Sequence, residues 1–497
     1  MKSIFKNWHF LLIAIFYFFS RLWAIKLIPI FTDEAIYTRW AQVALNDPAN
    51  RYISLEDGKQ PLFIWLSAIS QKFVHDPLIA NRLVSVSAGF GSLIGIYFLA
   101  KELLGQKEAK LAAILYIISP FFLLYDKLGI YDSLLTTLGI WAVFFSVKMA
   151  KKAQLDLAFL NGFAIGLALI TKSSASFFLY LLPFSLLNFN LKAPKVGNRF
   201  FNWIKFSFVT FVLAEAFYNS LRLSPLFYII KMKNYEFIRP FSEVLHDPLH
   251  FAFSNFKGLT GWLITYTTWP LFLLFLAGLV WGFKRKDKKI IYLSILIFAP
   301  FTAEILFNKI IYPRFMLFYF PYVILVISYC IASLFQTFAK FQKQLQIALL
   351  AILILPAYTS IKLLTAPAYA NIPKSDSNQY FNDWPAGYGV VEVVSFLKEK
   401  SQNEQIYVGT QGTFGLFPFA LNIYFRENQN LHIVSYWPVD PEKLPQEIVN
   451  YSKKYKTYFI FNENQRQIAN KNLKFIAKYQ KGKSNSYMRL YEVLPAN

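Results

Sequence analysis

The chain has 497 residues, of which 56% are apolar, and a formal net charge of +23. The charge alone would suit a nucleic-acid-binding protein, but the apolar residues are gathered into long runs that a soluble nucleic-acid-binding fold does not need. We therefore expect no nucleic-acid partner, and the single cysteine, Cys330, excludes an intrachain disulfide.

Long apolar runs dominate the first three quarters of the chain. They recur from Trp8 to about Ile361, and each is long enough to cross a hydrocarbon core of about 30 Å as a helix. The first run lacks a small-residue cleavage site, so it is interpreted as a retained helix and not as a signal peptide. We predict a polytopic α-helical membrane protein with about eleven transmembrane helices. The predicted spans are 8–30, 79–100, 110–126, 132–148, 155–171, 174–190, 201–223, 262–283, 289–306, 314–336 and 345–363.

The distribution of lysine and arginine predicts which side of the membrane each connection occupies. Basic residues cluster in alternate connections, which the positive-inside rule places in the cytoplasm, next to anionic lipid. We expect a multi-pass plasma-membrane protein with a cytoplasmic N-terminus. The parts predicted to lie outside are the connections 31–78, 172–173, 224–261 and 307–313, and everything after about residue 364. The basic clusters are Lys2/Lys6, Lys101/Lys107/Lys110, Lys148/Lys151/Lys152, Lys192/Lys195/Arg199, Lys284/Arg285/Lys286/Lys288/Lys289 and Lys340/Lys343.

Two segments break the pattern of apolar runs. In the outer loop 31–78, apolar spacing predicts helices over 34–45 and 62–69 at the membrane surface, separated by a turn at Gly58-Lys59-Gln60-Pro61. Short β-rich segments after about residue 370 predict an extracytoplasmic α/β domain. We thus divide the chain into a transmembrane module, 1–365, and a soluble α/β domain, 366–497. Within the latter, a helix is predicted over 388–400 and strands over 405–409, 431–437, 457–462 and 487–493.

Charged residues at the outer ends of the spans are candidates for chemistry, because a charge at a membrane boundary is costly unless it is paired or hydrated. Taken singly, the basic ones would suit anchors that reach lipid headgroups, and the acidic ones would suit the end of a span. Together they would suit chemistry on a lipid phosphate, since a carboxylate accepts a proton from an acceptor hydroxyl and cations stabilise the departing phosphate. The candidates are Asp33, Glu34, Lys59, Asp126, Lys127, Asp132, Lys172 and Arg314.

Six of these candidates, all but Asp126 and Lys127, lie in motifs that resemble those of a known family. The segment Asp33-Glu34-Ala35-x-Tyr37, followed by Gly58-Lys59-x-Pro61-Leu62-x-x-Trp65-Leu66, resembles the first outer loop of GT-C glycosyltransferases, in the branch of protein O-mannosyltransferases and the lipid A aminoarabinose transferase. The resemblance continues through Asp132-Ser133-Leu134-Leu135, the Gly166 to Lys172 segment and Pro313-Arg314-Phe315. Two positions depart from it: Gln60 stands where many relatives carry proline, and Ser173 stands where glycine is common.

The resemblance implies a GT-C fold and an inverting glycosyltransferase of the cell envelope. Its donor would be a polyprenyl-phosphate-linked sugar and its acceptor an extracytoplasmic protein, lipid or glycan, so these molecules and membrane lipids are the expected partners. By motif position, Asp33 matches the catalytic base, Glu34 its acidic neighbour and Asp132 a second outer carboxylate. Lys59, Lys172 and Arg314 match positions that face the donor phosphate, and Tyr37 is expected to bind substrate.

Other interpretations stay open at this point. A transporter or flippase of lipid-linked sugars would also have many spans, but such proteins usually bind substrate near the membrane midplane between paired halves, whereas these charges lie at one surface. A scaffold that acts through its outer domain is a third interpretation. The sequence predicts no particular cofactor, and a divalent cation between Asp33, Glu34 and Asp132 is an open alternative. His246 and His250, with Asp247 between them, could suggest a metal site. Pro248 argues against it, because it breaks the helix that would align the two histidines.

Overall fold

The computed structural model describes residues 8–462 and 468–495. The basic cluster Lys2/Lys6 lies outside the described residues. The chain forms two compact units, each built from segments that are distant in sequence. We call them the helical unit, Met1–Trp23, Ala49–Leu66 and Arg82–Leu363, and the sheet unit, Ala24–Pro48, Ser67–Asn81 and Leu364–Asn497. The predicted boundary at residue 365 stays a prediction.

Helices account for most of the chain before the sheet. In chain order they are α1 Trp8–Leu22, α2 Thr32–Asn46, α3 Leu62–Gln71, α4 Pro77–Leu103, α5 Gln106–Ile118, α6 Pro120–Asp126, α7 Asp132–Lys152, α8 Leu155–Leu169, α9 Ser176–Tyr180, α10 Val196–Ser220, α11 Phe227–Phe237, α12 Phe241–His246, α13 Ala252–Thr267, α14 Trp269–Lys284, α15 Lys288–Phe307, α16 Phe320–Thr337, α17 Gln342–Thr365 and α18 Lys374–Ser377. Short 3₁₀ turns at Ile53–Asp57, Ser173–Ala175, Leu182–Asn188 and Pro313–Met316 link some of them. The two predicted segments of the 31–78 loop form helices α2 and α3, and their place at the membrane surface stays a prediction.

Within the described residues, six helices are long and apolar enough to cross a membrane, and the number is up to eight if each of two bent pairs counts as one span. Shorter apolar helices occupy Leu11–Leu22, Leu155–Leu169 and Ser173–Asn188, where the other three predicted spans lie. The prediction of a polytopic helical membrane protein is confirmed. Several spans are shorter or more broken than an uninterrupted apolar run suggests.

The two bends have local causes in the backbone. Between α5 and α6 the axis turns by 61°, because Pro120 has no N–H to continue the helical ladder and Ser119, before it, is extended. Between α13 and α14 it turns by 108°, where Thr268 adopts a φ of +65° just before Trp269 and Pro270. The predicted span 262–283 therefore crosses a bend and is not one straight helix.

Helices α8 and α10 approach closely because α8 carries two glycines four residues apart. A Cβ on Gly162 would lie 2.8 Å from the Leu213 Cβ of α10, and a Cβ on Gly166 would lie 2.6 Å from the ring of Phe217. Small residues at this spacing let membrane helices pack backbone to backbone. The contact places the C-terminal end of α8, and hence Lys172 just beyond it, in a defined position.

A five-stranded mixed sheet forms the centre of the sheet unit, and the predicted α/β domain is confirmed. Its strands are β1 Ile406–Gln411, β2 Leu431–Tyr436, β3 Lys456–Phe461, β4 Leu473–Gln480 and β5 Tyr487–Val493, in the order β2-β1-β3-β5-β4. β1 pairs in parallel with β2 and β3, and β5 pairs antiparallel with β3 and β4. The helices are α19 Val390–Lys400, α20 Leu416–Asn422 and α21 Gln446–Ser452. Four strands and α19 were predicted, and the edge strand β4 was not.

The N-terminal segment of the sheet unit is part of the same core. Ile30 and Ala35 pack in one apolar cluster with Val393, Ile406 and Leu416, residues from α19, β1 and α20. The Gly387 N–H donates to the Ile30 carbonyl at 2.7 Å. Helix α2, which begins two residues after Ile30, is therefore fixed to the C-terminal domain that follows it in the chain by more than 300 residues.

Candidate functional site

The predicted acidic residues begin helix α2 in the sheet unit. Asp33 and Glu34 occupy its first turn, where the helix dipole favours negative charge, and Glu34 is fully buried. The Thr32 N–H donates to the Pro385 carbonyl at 3.0 Å, which anchors the start of the helix. Tyr37, one turn further on, is buried with its ring stacked 5.7 Å from that of Trp40. The roles proposed for these residues stay predictions.

The helical unit contains a cavity of about 850 Å³. Its polar lining includes four basic side chains, Lys59, Lys172, Lys233 and Arg314, from four separate segments of the chain. Aromatic and aliphatic side chains form much of the remaining wall, among them Leu169, Phe177, Phe211, Phe237 and Phe318. The cavity therefore combines a basic cluster with an apolar surface.

Lys59 is presented by a turn that requires glycine. Gly58 has a φ of +64°, and a Cβ there would lie 2.5 Å from the Lys233 Cβ, so a side chain at this position would be both strained and blocked. The Lys59 Nζ lies 5.3 Å from the centre of the Phe237 ring and 4.0 Å from Asp57 Oδ2. Lys59 is thus only loosely held by its acidic neighbour.

Lys233, on α11, was not predicted as a site residue. Its Nζ lies 2.8 Å from Asp57 Oδ1 and 2.8 Å from Glu236 Oε2. Burial disfavours its charge, but the hydrogen bonds to Asp57 and Glu236 outweigh burial and raise the pKa of Lys233. Asp57 therefore lies between two cavity lysines and offsets their mutual repulsion.

Lys172 is positioned by a buried carboxylate and two aromatic rings. Its Nζ donates to Asp132 Oδ1 at 2.7 Å and lies 5.1 Å from the Tyr131 ring centre and 4.7 Å from that of Phe315. Asp132 is 1% exposed, and its second oxygen has no hydrogen-bond partner among the described residues. The carboxylate predicted as catalytic thus contacts a cavity cation.

The cavity lining also includes Arg314 and Glu304. Arg314 lies in the turn Pro313–Met316, with its guanidinium carbon 5.1 Å from the Tyr312 ring centre. Glu304, near the end of α15, lines the cavity and accepts a hydrogen bond from the Tyr319 hydroxyl at 2.8 Å. Glu304 was not predicted as a site residue, although a carboxylate inside a predicted apolar span is a signal for one.

The two departures from the family pattern contact each other at this cavity. The Gln60 Nε2 donates to the Ser173 Oγ at 2.7 Å. The two loops that hold these residues are therefore joined by a side-chain hydrogen bond.

Asp126 and Lys127, also candidates from sequence, occupy a buried cluster instead. Asp126 is 1% exposed and lies 3.4 Å from the Arg21 Nε, and it accepts hydrogen bonds from the hydroxyls of Tyr116 and Ser133. Lys127 donates to the Trp23 carbonyl at 2.7 Å. Neither residue lines the cavity described above, so both are interior residues of the helical unit.

The histidine segment forms a local contact. His246 ends α12, and the His250 Nδ1 lies 3.0 Å from Asp247 Oδ2 with both side chains about half exposed. Across residues 8–462 and 468–495, no group of three or more His, Cys, Asp or Glu side chains is placed to hold a metal ion.

Comparisons with known proteins give a consistent fold. ArnT from Cupriavidus metallidurans in the apo state aligns over 98% of this chain and 98% of its own, with a TM-score of 0.59 and 12% identity. The same protein bound to undecaprenyl phosphate aligns over 99% and 98%, with a TM-score of 0.58 and 13% identity. The archaeal oligosaccharyltransferase AglB from Archaeoglobus fulgidus, in complex with an inhibitory peptide and a dolichol-phosphate, aligns over 92% of this chain and 69% of its own, with a TM-score of 0.53 and 13% identity.

Fold and composition together define a multi-pass membrane protein with a fold similar to that of ArnT. The family model for dolichyl-phosphate-mannose-protein mannosyltransferases matches residues 58–215, which is less than half of the chain. This match and the structural likenesses agree with the resemblance to GT-C glycosyltransferases that the motifs indicate. No curated protein sequence matches it.

Proposed function

We propose that the protein transfers a sugar from a polyprenyl-phosphate-linked donor to an extracytoplasmic acceptor in cell-envelope glycosylation. The observation that carries the proposal is the convergence of Lys59, Lys172, Lys233 and Arg314 on one cavity. Four cations beside apolar walls suit a ligand that is both an anion and a lipid. The undecaprenyl phosphate bound to ArnT and the dolichol-phosphate bound to AglB support that ligand class.

In the proposed reaction, an acceptor hydroxyl attacks the anomeric carbon on the face opposite the phosphate. The new carbon–oxygen bond forms as the bond to the phosphate oxygen breaks, so the configuration inverts and polyprenyl phosphate leaves as an anion. By its motif position, Asp33 accepts the hydroxyl proton, with Glu34 beside it and Tyr37 contacting substrate. The cavity cations stabilise charge on the leaving phosphate, and Asp132 holds Lys172 in place.

The proposal includes an orientation in the membrane. The positive-inside rule puts the N-terminus and the Lys284 to Lys289 connection in the cytoplasm, and the C-terminal domain outside. A lipid-linked donor with its sugar at the outer face would then meet extracytoplasmic acceptors. The plasma membrane is the proposed location.

A transfer assay tests the function. Purified full-length protein is incubated with a set of polyprenyl-phosphate sugars and cell-envelope acceptors, and product is followed by mass spectrometry. The wild type is expected to form product with at least one donor, and Asp33→Asn to be slower by about 10²- to 10⁴-fold, the usual contribution of a general base. Asp47→Asn, at the other end of α2, is the matched control and should keep wild-type activity.

Two outcomes would contradict the proposal. Equal transfer by the wild type and Asp33→Asn would remove Asp33 as the base. Movement of the lipid-linked donor across vesicle membranes, without a glycosylated product from any donor, would favour the transporter interpretation.

A further inference from the structure

Each of three cavity lysines is followed in sequence by a polar residue, and those three polar residues meet at one atom. The Ser173 Oγ accepts a hydrogen bond from the Gln60 Nε2 at 2.7 Å and from the Asn234 Nδ2 at 3.1 Å. The three consecutive pairs, all lining the cavity, are Lys59-Gln60, Lys172-Ser173 and Lys233-Asn234. A single hydroxyl therefore connects the three segments that carry the lysines.

The three segments are also joined in pairs, by the ion pair of the Lys233 Nζ with Asp57 Oδ1 at 2.8 Å and by the Leu62 N–H, which donates to the Ile170 carbonyl at 3.0 Å. They lie in the turn before α3, in the turn after α8 and on α11, and their lysine side chains repel one another. A long lysine side chain also loses rotamer entropy when it is held in one place. Contacts that fix the backbone beside each lysine reduce the cost of bringing the three charges to one ligand.

The chemistry of the serine hydroxyl suits a connecting role. A hydroxyl oxygen has two lone pairs, and the amides of Gln60 and Asn234 occupy both. Gln60 is 4% exposed, so its amide is costly to leave without a partner. The Ser173 backbone carbonyl also accepts from the Ser176 Oγ at 3.0 Å, which fixes the serine on its own segment.

We propose that Ser173 is a positioning residue, which sets the spacing of Lys59, Lys172 and Lys233 for one anionic headgroup through its bonds to Gln60 and Asn234. The inference rests on the proposed function for the identity of the headgroup, a lipid phosphate. It assigns a role at the cavity to an uncharged residue, and it explains how three lysines from distant segments act on one ligand.

The test is binding of undecaprenyl phosphate to the full chain in detergent, by microscale thermophoresis. Ser173→Ala removes the shared acceptor and is expected to weaken binding by about 3- to 10-fold, the range for one or two hydrogen bonds. Ser173→Thr keeps the hydroxyl and should bind within about twofold of wild type. Ser328→Ala, which removes a hydroxyl bonded within α16, should bind as wild type does.

A double-mutant cycle separates positioning from a general loss of stability. Gln60→Ala alone should weaken binding, but adding it to Ser173→Ala should weaken binding little further, because both changes break the same bond. Fully additive effects would overturn the inference. In the transfer assay, Ser173→Ala should raise the KM for the donor, whereas a misfolded fraction would lower the apparent kcat and leave the KM unchanged.

The failure of each proposal gives a different result. Tight binding of undecaprenyl phosphate by the wild type and equally by Ser173→Ala overturns the role of Ser173 and leaves the proposed function standing. No binding by the wild type overturns the lipid-phosphate site itself, and the inference with it.

Discussion

The cavity cations differ in how strongly their surroundings hold them. Lys172 donates to a buried carboxylate at 2.7 Å, whereas Lys59 lies 4.0 Å from Asp57 and against one aromatic ring. The charge of a firmly paired cation is partly neutralised by its partner, whereas a loosely held cation can bind a ligand more readily. A substitution of Lys59 is therefore expected to weaken ligand binding with little effect on folding.

Lys59→Ala is predicted to raise the apparent KM for the donor by about 10- to 100-fold, which corresponds to losing one charge-assisted contact with the phosphate. The KM for the acceptor should change little, since the proposed partner of Lys59 is the donor alone. Steady-state kinetics with each substrate varied in turn measures both constants. The exposed Lys471→Ala serves as the control, and equal changes in both constants for Lys59→Ala would contradict the role.

Lys172→Ala is predicted to destabilise the fold as well as to impair function. Asp132 is 1% exposed, so removal of its partner leaves a buried charge uncompensated, a change that typically costs about 3–5 kcal/mol. The double variant Lys172→Ala/Asp132→Asn should recover most of the lost stability, because no charge is then left buried. Apparent melting temperatures in detergent at one scan rate make the comparison, and a double variant no more stable than Lys172→Ala would argue against the pairing.

At the scale of elements, apolar runs predict helices well, but they do not predict where a helix breaks. The predicted span 262–283 begins inside α13 and ends inside α14, since the apolar run continues through the bend at Thr268. Pro270 was the available signal, and it acts on the backbone and not on hydropathy. Strand β4 was missed for a related reason: Lys474 and Lys478 interrupt its apolar pattern, as charges often do on an edge strand.

The packing of α8 against α10 gives a prediction at this scale. Gly166→Ala is predicted to lower the apparent melting temperature, because its Cβ would overlap the Phe217 ring, and overpacking of this kind costs about 1–3 kcal/mol. Gly261→Ala is the matched control in the interior of α13, where nothing lies within 4 Å of the added Cβ. There the higher helix propensity of alanine should leave stability equal or higher. The same direction of change in both variants would contradict the glycine contact.

The candidate site was predictable from sequence only in part, and the reason is geometric. Motif position identified Lys59, Lys172 and Arg314, and the structure brings these three to one cavity. Lys233 and Asp57 carry no motif, because their role depends on the packing of α11 beside the turn that holds Lys59. Such a contact between residues more than 170 positions apart has no signature in one sequence.

For the whole molecule, the two units draw on segments that alternate along the chain. Residues 24–48 and 67–81 belong to the sheet unit although they lie between segments of the helical unit. The outer loop predicted at 31–78 therefore contributes to both units. If the sheet unit lies outside the membrane, as proposed, α2 with Asp33 and Glu34 lies outside with it.

Reporter fusions test this orientation. A fusion after Asn497 is predicted to be active with a reporter that requires the outer compartment, and a fusion within the Arg285 to Asp287 turn with one that requires the cytoplasm. The basic residues from Lys284 to Lys289 place that turn in the cytoplasm, and the alternation of the later predicted spans then places the C-terminus outside. The opposite pattern would place Asp33 in the cytoplasm and remove it from the proposed reaction.

The most direct test of the central claim is a cryo-electron microscopy structure of the full chain with undecaprenyl phosphate. We predict density for the phosphate in the 850 Å³ cavity, with its oxygens about 3 Å from the side-chain nitrogens of Lys59, Lys172, Lys233 or Arg314, and density for the isoprenoid chain along the apolar wall. A phosphate bound at another site, with the cavity unoccupied at saturating lipid, would contradict the assignment of this cavity as the donor site.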